Sequence, residues 1–242
     1  MFLQPSAWST SNAKRFFDLA AVVATLPITI PILLLVGLAV RVSSTGPVLF
    51  VQTRMGQCGR CFRILKFRTM AHSAGGDRPL ITTLGNQQFT SIGPFLRRCK
   101  LDELPQILNV LRGDMSLVGP RPKVPGHQSE PLVWRPGITG AASLAFAREE
   151  ELLDTIPEHA LERYVHEVVL PAKRQIDADY MYRATFASDL AILVKTLSGR
   201  WNYGGADPIQ TSTEGHSYRA RYSLMPQREP TTILPETVLV DD

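Results

Sequence analysis

The stretch LDELPQILNVLRGDMSLVGPRP, residues 101–122, decides the fold expected for this chain. Two carboxylates, Asp102 and Glu103, stand side by side where an apolar-periodic segment begins. Pro105 is accepted in the first turn of a helix, where its missing N–H is not needed. Leucines then recur at spacings of three and four, which predicts one buried face of a helix that starts near Asp102: Leu101, Leu104, Leu108 and Leu111.

This helix start bears on what the two carboxylates can do. The positive end of a helix dipole favours the charged forms of Asp102 and Glu103, and free backbone N–H groups there can meet an anion. Carboxylates in a basic setting suit a phosphate and a divalent cation held together. The same spacing fits an N-capping Asp with a Glu beside it, which would be a purely structural arrangement. Spacing alone leaves both interpretations open.

Charge is unevenly distributed along the 242 residues, a length that predicts one domain with appendages. Residues 41–123 carry thirteen basic and four acidic side chains, whereas the whole chain has a net charge of +4. Such a block predicts a polyanionic partner: lipid headgroups, a nucleotide or sugar diphosphate, or nucleic acid. Nucleic acid is the least favoured of these, because the block has few aromatic side chains suited to stacking. We therefore expect no nucleic-acid partner.

An apolar segment precedes this basic block. Leu19–Val40 contains no charged residue and is long enough to cross a bilayer, for which about 20 residues suffice. Basic residues flank both of its ends, and the positive-inside rule then places both ends in the cytoplasm. Pro27 and Pro31 remove backbone hydrogen bonds near its middle. We expect a re-entrant membrane helix over residues 14–42, whose freed backbone groups Thr25 and Thr29 can partly satisfy; the alternative is a single kinked span.

The remaining segments are assigned from local pattern. Residues 1–13 read as a loosely held N-terminal end, and residues 43–201 as the main domain. Val48–Thr53 and Phe62–Met70 predict a basic β-hairpin, joined by a turn over Gly56–Gly59. Cys58 and Cys61 are read as residues of this turn, since no second cysteine pair completes a zinc site and a redox CxxC motif would need a following helix rather than a strand. An odd number of cysteines fits a reducing, cytoplasmic setting.

The C-terminal half is expected to be helical. Gly113 is predicted to end the central helix as a left-handed cap, and residues 71–91 read as a loop. An apolar stripe near residue 190 is expected to pack on the core, although the membrane surface is an alternative: Phe186, Leu190, Leu193, Val194 and Leu197. The predicted helices are Ala147–Asp154, Glu158–Leu170 and Pro171–Tyr182. Residues 202–242 lack periodicity and predict a disordered tail.

Six motifs in a fixed order over residues 14–140 resemble the bacterial sugar transferase family, the monotopic polyprenol-phosphate phosphoglycosyl transferases. They are KRFFD (14–18), KFRTM (66–70), LDELPQ (101–106), GDMS (113–116), VGPRP (118–122) and RPGITG (135–140). The resemblance implies a helix-rich α+β fold: an N-terminal re-entrant membrane helix, a small β-hairpin and a cytoplasmic-face helical catalytic domain. It also implies a location at the bacterial inner (cytoplasmic) membrane.

The resemblance further implies transfer of a phosphosugar from a nucleotide diphosphate sugar, usually a UDP-sugar, to a polyprenol phosphate such as undecaprenyl phosphate. Asp102 would be the covalent nucleophile, and a carboxylate needs no separate base for that role. Glu103 would be tied to a Mg²⁺ site. Phosphate binding would fall to basic residues of the motifs and beside them: Lys66, Arg68, Arg97, Arg121 and Arg135.

Two departures from the family pattern limit these expectations. A Ser-Pro at the helix break is replaced by Ile30-Pro31, so the freed backbone groups need another hydrogen-bond partner, for which Thr29 is the candidate. A common Trp-Ala-Gln run is replaced by Ala141-Ala142-Ser143, which leaves the donor sugar open. The alternative to an enzyme is a non-enzymatic membrane-tethered scaffold, which would be indifferent to changes at Asp102. The oligomeric state is not given by the sequence.

Overall fold

The structure is a computed structural model that describes residues 5–70, 89–125, 133–147, 149–154 and 156–199. It has the predicted class, a helix-rich α+β fold with a long apolar N-terminal helix and small sheets. The elements in chain order are α1 (Asn12–Ser43), β1 (Leu49–Met55), β2 (Cys61–Phe67), α2 (Gly93–Arg98), a 3₁₀ helix (Leu101–Gln106), α3 (Ile107–Arg112), β3 (Ser116–Val118), β4 (Gly137–Thr139), α4 (Ala141–Ala145), α5 (Glu149–Asp154), α6 (Glu158–Tyr164), a π-helical turn (Val165–Val169), α7 (Leu170–Arg183) and α8 (Phe186–Leu197). Most of the predicted loop and the whole predicted tail lie outside the described residues.

Helix α1 is long and apolar enough to cross a membrane. The Ser11 side chain caps its start by accepting a hydrogen bond from the Lys14 N–H at 3.0 Å. The helix runs through Pro27 and Pro31 without interruption, so the expected break is not a stretch of non-helical backbone. The re-entrant path through the membrane stays a prediction.

The expected satisfaction of backbone groups near the prolines is only partly present. The Thr25 hydroxyl donates to the carbonyl oxygens of Ala21 and Val22 at 3.0 and 2.9 Å. The Thr29 hydroxyl is buried and has no hydrogen-bond partner in the described part of the chain. The expectation that Thr29 compensates for the departure at Ile30-Pro31 is therefore wrong, because its oxygen faces no free backbone group.

The N-terminal end is not loose over residues 5–11. The indole N–H of Trp8 donates to Asp189 Oδ2 at 3.0 Å, and the Ser6 N–H donates to the Met181 carbonyl at 3.1 Å. The ring of Trp8 also meets the edge of Phe186 with centroids 5.6 Å apart. A polar composition suggested a free end, but one aromatic residue is enough to fix this short segment to α7 and α8.

Helix α1 packs on the domain at both of its ends. Near its start, Val22 is buried among Phe62 and Ile64 of β2; near its end, Val36 and Val40 are buried against Phe67 of the same strand. The opposite side of α1 remains exposed and apolar: Phe16, Val23, Ile28, Leu34, Leu35 and Leu38.

The two ends of α1 are also held by polar contacts. Lys14 forms a buried ion pair with Asp189 of α8, and the Ser116 hydroxyl donates to Asp18 at 2.7 Å. At the other end, Arg68 donates to the carbonyl oxygen of Ser44 at 2.9 Å. The helix is therefore part of the domain core along its length, rather than a separate anchor.

The predicted hairpin is confirmed. Strands β1 and β2 pair antiparallel, from Leu49 opposite Phe67 to Met55 opposite Cys61. The connecting turn places Cys58 at a positive φ of 54°, and both cysteines of the turn are free and exposed. Gly113 is confirmed as the left-handed cap of α3, with a φ of 92°.

The central helix differs from its prediction in type and in phase. Its first part, Leu101–Gln106, is a 3₁₀ helix, and the α-helix begins only at Ile107. Because a 3₁₀ turn has three residues rather than 3.6, each residue is rotated further and the buried face shifts by about one position. Ile107 and Val110 are buried, whereas Leu108 is 39% exposed. The predicted leucine face is therefore only partly correct: Leu101 and Leu111 pack against the core, whereas Leu108 is exposed.

Helix α8 also buries a different face from the one expected. Its capping box begins at Thr185, and its buried residues are Asp189 and Ile192. Four residues of the apolar stripe predicted to pack on the core are exposed, from 45% at Leu190 to 87% at Leu197, whereas Leu193 packs against the core. Asp189 fixes this orientation, because its buried carboxylate pairs with Lys14 and accepts hydrogen bonds from Trp8 and Tyr180.

Candidate active site

Asp102 and Glu103 lie together in the 3₁₀ helix, which packs against β2, and both side chains are buried. They face one open groove of about 1920 Å³. Asp102 Oδ1 is buried and has no hydrogen-bond partner among the described residues. A buried polar atom without a partner is uncommon and calls for an explanation. The carboxylate of Asp102 is thus available to a group that enters the groove.

Glu103 is held by two cations. Lys66 Nζ and Arg121 Nη2 both donate to Glu103 Oε1, at 2.7 and 2.5 Å. Lys66 comes from β2, and Arg121 from the turn after β3, so three separate segments meet at one carboxylate oxygen. Charge-assisted hydrogen bonds of this kind are the strongest that side chains make. The structure thus brings Glu103 together with two of the basic residues that the motifs predict.

The position of Lys66 depends on a residue that the sequence reasoning missed. Asn109 of α3 is fully buried; its Oδ1 accepts from the Leu65 N–H at 3.1 Å and its Nδ2 donates to the Arg63 carbonyl at 2.8 Å. The Asn109 side chain thus forms the hydrogen bonds with β2 that the backbone of a neighbouring strand would form. Because Leu65 directly precedes Lys66, this contact fixes Lys66 beside the 3₁₀ helix. No local pattern identified Asn109, since its partners in β2 are more than 40 residues away.

The position of Arg121 depends on close backbone contact between β3 and β4, a short parallel pair that the sequence did not predict. A Cβ atom on Gly137 would lie 2.1 Å from the Gly119 nitrogen, and one on Gly140 would lie 2.2 Å from the Gly119 carbonyl oxygen. Only glycine permits this approach. The glycines of the VGPRP and RPGITG motifs therefore allow two turns that are distant in sequence to pack together. This contact fixes the position at which the Pro-Arg-Pro turn begins.

The charges make the two carboxylates unequal. Burial, together with the charge of Glu103, raises the pKa of Asp102 above its usual value. Burial alone would also raise the pKa of Glu103, but Arg121 and Lys66 hold it well below its usual range. Burial lowers the pKa of Lys66, while Glu103 raises that of Arg121. Glu103 is therefore ionised and locked in place, whereas Asp102 is less restrained.

The groove has polar and apolar walls. Beside Asp102 it is lined by the charged residues just described and by Arg97, whose guanidinium also lies over the ring of Phe89 at 5.3 Å. One apolar wall comes from α1 and α8: Ala21, Val22, Leu190, Leu193, Val194 and Leu197. Pockets for a single small ligand measure about 300–1,000 Å³. This groove has room for two substrates, one of them apolar.

Two of the predicted phosphate-binding residues lie elsewhere. The guanidinium of Arg68 is turned to Ser44 at the end of α1, with Nη2 2.6 Å from its hydroxyl oxygen. Arg135 donates to the Gly113 carbonyl at 3.0 Å and lines a separate cavity of about 550 Å³ near the hairpin turn. Neither residue lines the groove of Asp102. For both, the contacts made within the chain are those of structural residues.

The comparison with known proteins covers the region that contains the six motifs. Residues 9–202 match the sequence model of a family described as bacterial sugar transferase. The chain belongs to the bacterial sugar transferase family. It is 37% identical over 196 residues to a UDP-glucose:undecaprenyl-phosphate glucose-1-phosphate transferase of Caulobacter vibrioides, a match that covers 76% of this chain and 68% of that protein. The recognition of the family from its motifs is confirmed.

Other members of the family differ in donor and in length. A UDP-N-acetylgalactosamine-undecaprenyl-phosphate N-acetylgalactosaminephosphotransferase of Aeromonas hydrophila is 32% identical over 197 residues, or 76% of this chain and 42% of that protein. An exopolysaccharide production protein of Rhizobium leguminosarum is 38% identical over 145 residues, or 54% of this chain and 72% of that protein. This chain thus spans about two thirds of the Caulobacter relative, 68%, but less than half of the Aeromonas one.

Proposed function

We propose that this protein transfers a phosphosugar from a nucleotide diphosphate sugar, of the UDP-sugar type, to a polyprenol phosphate such as undecaprenyl phosphate. The observation that carries the proposal is the pair of carboxylates in the groove: Asp102 with an unpartnered oxygen beside Glu103 with two cations. The named activities of the relatives support the same reaction class.

The reaction would proceed in two displacements. A carboxylate oxygen of Asp102 attacks the phosphorus that carries the sugar, and the bond to the bridging oxygen breaks, so that the nucleoside monophosphate leaves with the electron pair. An oxygen of the polyprenol phosphate then attacks the same phosphorus, and the bond to Asp102 breaks to restore the carboxylate. Lys66 and Arg121 lie beside the pair, where they stabilise the charge on the phosphoryl oxygens. Arg97, on the groove wall, would help to neutralise the same charge.

The site fits a Mg²⁺ ion, which prefers one or two carboxylates together with phosphate oxygens. Glu103 would hold it, with the remaining ligands supplied by the donor diphosphate, and the free oxygen of Asp102 would stay available for attack. When bound, the ion would neutralise charge on that diphosphate. Lys66 and Arg121 already surround Glu103 with positive charge, so we expect the ion to bind together with the anionic donor rather than before it.

The two walls of the groove suit the two substrates. The apolar residues of α1 and α8 provide a surface for the first isoprene units of the acceptor, and they lead to the charged residues around Asp102. The phosphate of the acceptor would then reach the phosphosugar-enzyme from the membrane side. This arrangement would keep a lipid-bound phosphate and a water-soluble donor on different sides of the same carboxylate.

The contacts of α1 support a re-entrant path. A straight helix of 32 residues is about 48 Å long, yet the same domain contacts it near Val22 and near Val40. A helix that crossed the bilayer would have to leave this domain on one side. We infer that α1 dips into the bacterial inner membrane with the catalytic domain on the cytoplasmic face, and that the exposed stripe of α8 rests on the lipid. The enzyme would then perform the first membrane step of exopolysaccharide, O-antigen or glycoconjugate assembly.

The test is an assay of detergent-purified protein with Mg²⁺, undecaprenyl phosphate and a panel of UDP-sugars, in which release of UMP is followed. We expect release to require the lipid and Mg²⁺, and the Asp102→Asn variant to fall to background while it keeps its fold and membrane association. Transfer that survives in Asp102→Asn would contradict the nucleophile assignment. A folded wild type that releases no UMP with any nucleotide sugar would favour a membrane-tethered scaffold instead.

A further inference from the structure

A further carboxylate, that of Asp177, lies in the same groove, on the wall formed by α7. Asp177 lies one helical turn after Lys173 and Arg174, and these three residues line the groove together with Lys123, which follows the Pro-Arg-Pro turn. We call these four residues the α7 wall. The two displacements proposed above do not use any of them, and the family motifs stop well before α7.

Asp177 is poorly explained as a structural residue. Its Oδ1 accepts from the Ala142 N–H at 3.3 Å, a long contact near the limit for a hydrogen bond. Burial raises its pKa to about 7, although Lys123 and Lys173 act in the opposite direction. Carboxylates that are buried and held by a single weak hydrogen bond are frequent at functional sites.

The cations of the α7 wall are close enough to influence one another. Burial lowers the pKa of Lys123, and the nearby charge of Arg174 lowers it further. Lys173 Nζ lies 2.5 Å from Glu149 Oε2, so its charge is already paired. Lys123 and Arg174 are therefore the positive charges of this wall that favour an incoming anion.

A line of charges connects the α7 wall to the catalytic pair. Glu149, the partner of Lys173, also acts on Arg121 and contributes to its raised pKa. Arg121 in turn binds Glu103. The groove therefore presents a phosphate-binding end at Asp102 and, along the same charged side, two cations beside an acidic acceptor. The donor has complementary groups in the same order. The reacting phosphate comes first, then the phosphate of the nucleoside monophosphate, then the hydroxyl and N–H groups of the nucleoside.

We propose that the α7 wall binds the nucleotide part of the donor, with Asp177 accepting hydrogen bonds from its hydroxyl or N–H groups and with Lys123 and Arg174 holding the phosphate that leaves. This inference rests on the proposed function and extends it to the leaving group. As the first displacement proceeds, the departing phosphate gains negative charge, which Lys123 and Arg174 would stabilise. The apolar wall of α1 and α8 would remain for the lipid.

The experiment measures nucleotide binding separately from turnover. UMP is titrated into detergent-solubilised wild type, Asp177→Asn and Arg174→Gln, and the KM values for donor and acceptor are measured for each. Asn keeps an oxygen that can accept from Ala142, and Arg174 is exposed, so both variants are expected to fold. Asp179→Asn is the matched control, because Asp179 lies on the same helix, is exposed and does not line the groove.

We expect both wall variants to weaken UMP binding and to raise the donor KM by about tenfold or more, since a lost hydrogen bond to a charged group has at least that effect. The acceptor KM and the Asp179→Asn control should not change. Unchanged UMP affinity in both variants would overturn the inference, as would a rise confined to the acceptor KM. A wild type that binds UMP but transfers no sugar would refute the proposed reaction and leave the nucleotide-binding result standing.

Discussion

The Asn109 side chain accepts a hydrogen bond from the backbone N–H of Leu65 at 3.1 Å, across 44 positions of sequence. Its amide also donates to the Arg63 carbonyl, so a single side chain pairs with both backbone groups that a further strand would have used. Helix α3 and strand β2 are thereby joined at the position next to Lys66. The geometry of the Asp102–Glu103 pair therefore depends on a residue that does not line the groove.

Asn109→Ala should destabilise the protein by about 2–4 kcal/mol, because two buried backbone groups would lose their partners. The free energy of unfolding in detergent measures this directly. Gln57→Ala is a suitable control, since Gln57 makes an exposed contact to the Val133 carbonyl. Equal stability of the two variants would mean that water replaces the Asn109 contacts without cost.

Glu103→Gln should reduce the rate of UMP release by about 10²–10³-fold, as expected when a preorganised charge at a reacting group is removed. Lys66 and Arg121 could still donate to the amide oxygen, but they would lose the negative charge that holds them beside Asp102. Single-turnover release of UMP without acceptor measures this first step. A variant with normal release but slow transfer to lipid would place Glu103 in the second displacement only.

Arg135→Gln should lower stability rather than substrate affinity. Its guanidinium binds the Gly113 carbonyl at the end of α3, a contact to a helix C-terminus that contributes about 1 kcal/mol. We expect a lower unfolding temperature with unchanged donor and acceptor KM. A raised KM at unchanged stability would restore Arg135 to the phosphate-binding role that its motif predicts.

Lys14→Met should cost about 3–5 kcal/mol, the effect of leaving one partner of a buried ion pair uncompensated. Asp189 has no exposed surface and also receives hydrogen bonds from Trp8 and Tyr180, so the variant strands a buried carboxylate. The free energy of unfolding of Lys14→Met is compared with that of Arg163→Met, which removes an exposed charge on α6. A large loss in Lys14→Met alone would separate the stranded carboxylate from a general effect of lost charge.

Asp177 should make stability depend on pH. Its pKa is about 7 in the folded protein against an ordinary value of 3.8, so the folded state holds a proton that the unfolded chain has released. This contribution is fully present below about pH 4 and is lost as the pH rises through 7. Asp177→Asn should therefore gain about 2 kcal/mol relative to wild type between pH 4 and pH 8, after allowance for partial exposure.

A topology test uses the exposed residues that flank α1. Thr10→Cys and Thr45→Cys, each in a background in which Cys58, Cys61 and Cys99 are serine, report the side of the membrane reached by a thiol reagent. A re-entrant helix makes both positions reactive from the cytoplasmic side. Labelling of the two from opposite sides would show a spanning helix.

The sequence was informative where local chemistry decides the structure. The hairpin follows from alternating residues around a turn, and the cap at Gly113 from the one residue that adopts a left-handed conformation without strain. The pairing of Asp102 with Glu103 needs only adjacency. These features depend on neighbours in the chain, and periodicity or residue type identifies them.

Features that depend on distant partners were missed or misplaced. Helix α8 turns its leucines outward because Asp189 is bound by Lys14, at a separation of 175 residues. The phase of the central helix shifted because its first six residues form a 3₁₀ helix, and helix type is not visible in apolar spacing. Arg135 and Arg68 were predicted as phosphate ligands from the motifs that contain them, whereas the carbonyl groups that they contact are placed by the folded chain.

The burial of one face of α1 has a practical consequence for making a water-soluble form of this enzyme. Val22, Val36 and Val40 fill the core of the domain, so deletion of the helix would expose β2 rather than release a soluble fragment. The exposed apolar residues lie on the other side and contribute nothing to that core: Phe16, Val23, Ile28, Leu34, Leu35 and Leu38. Replacement of these side chains by polar ones, with the helix retained, is therefore the route to a water-soluble form of the folded domain.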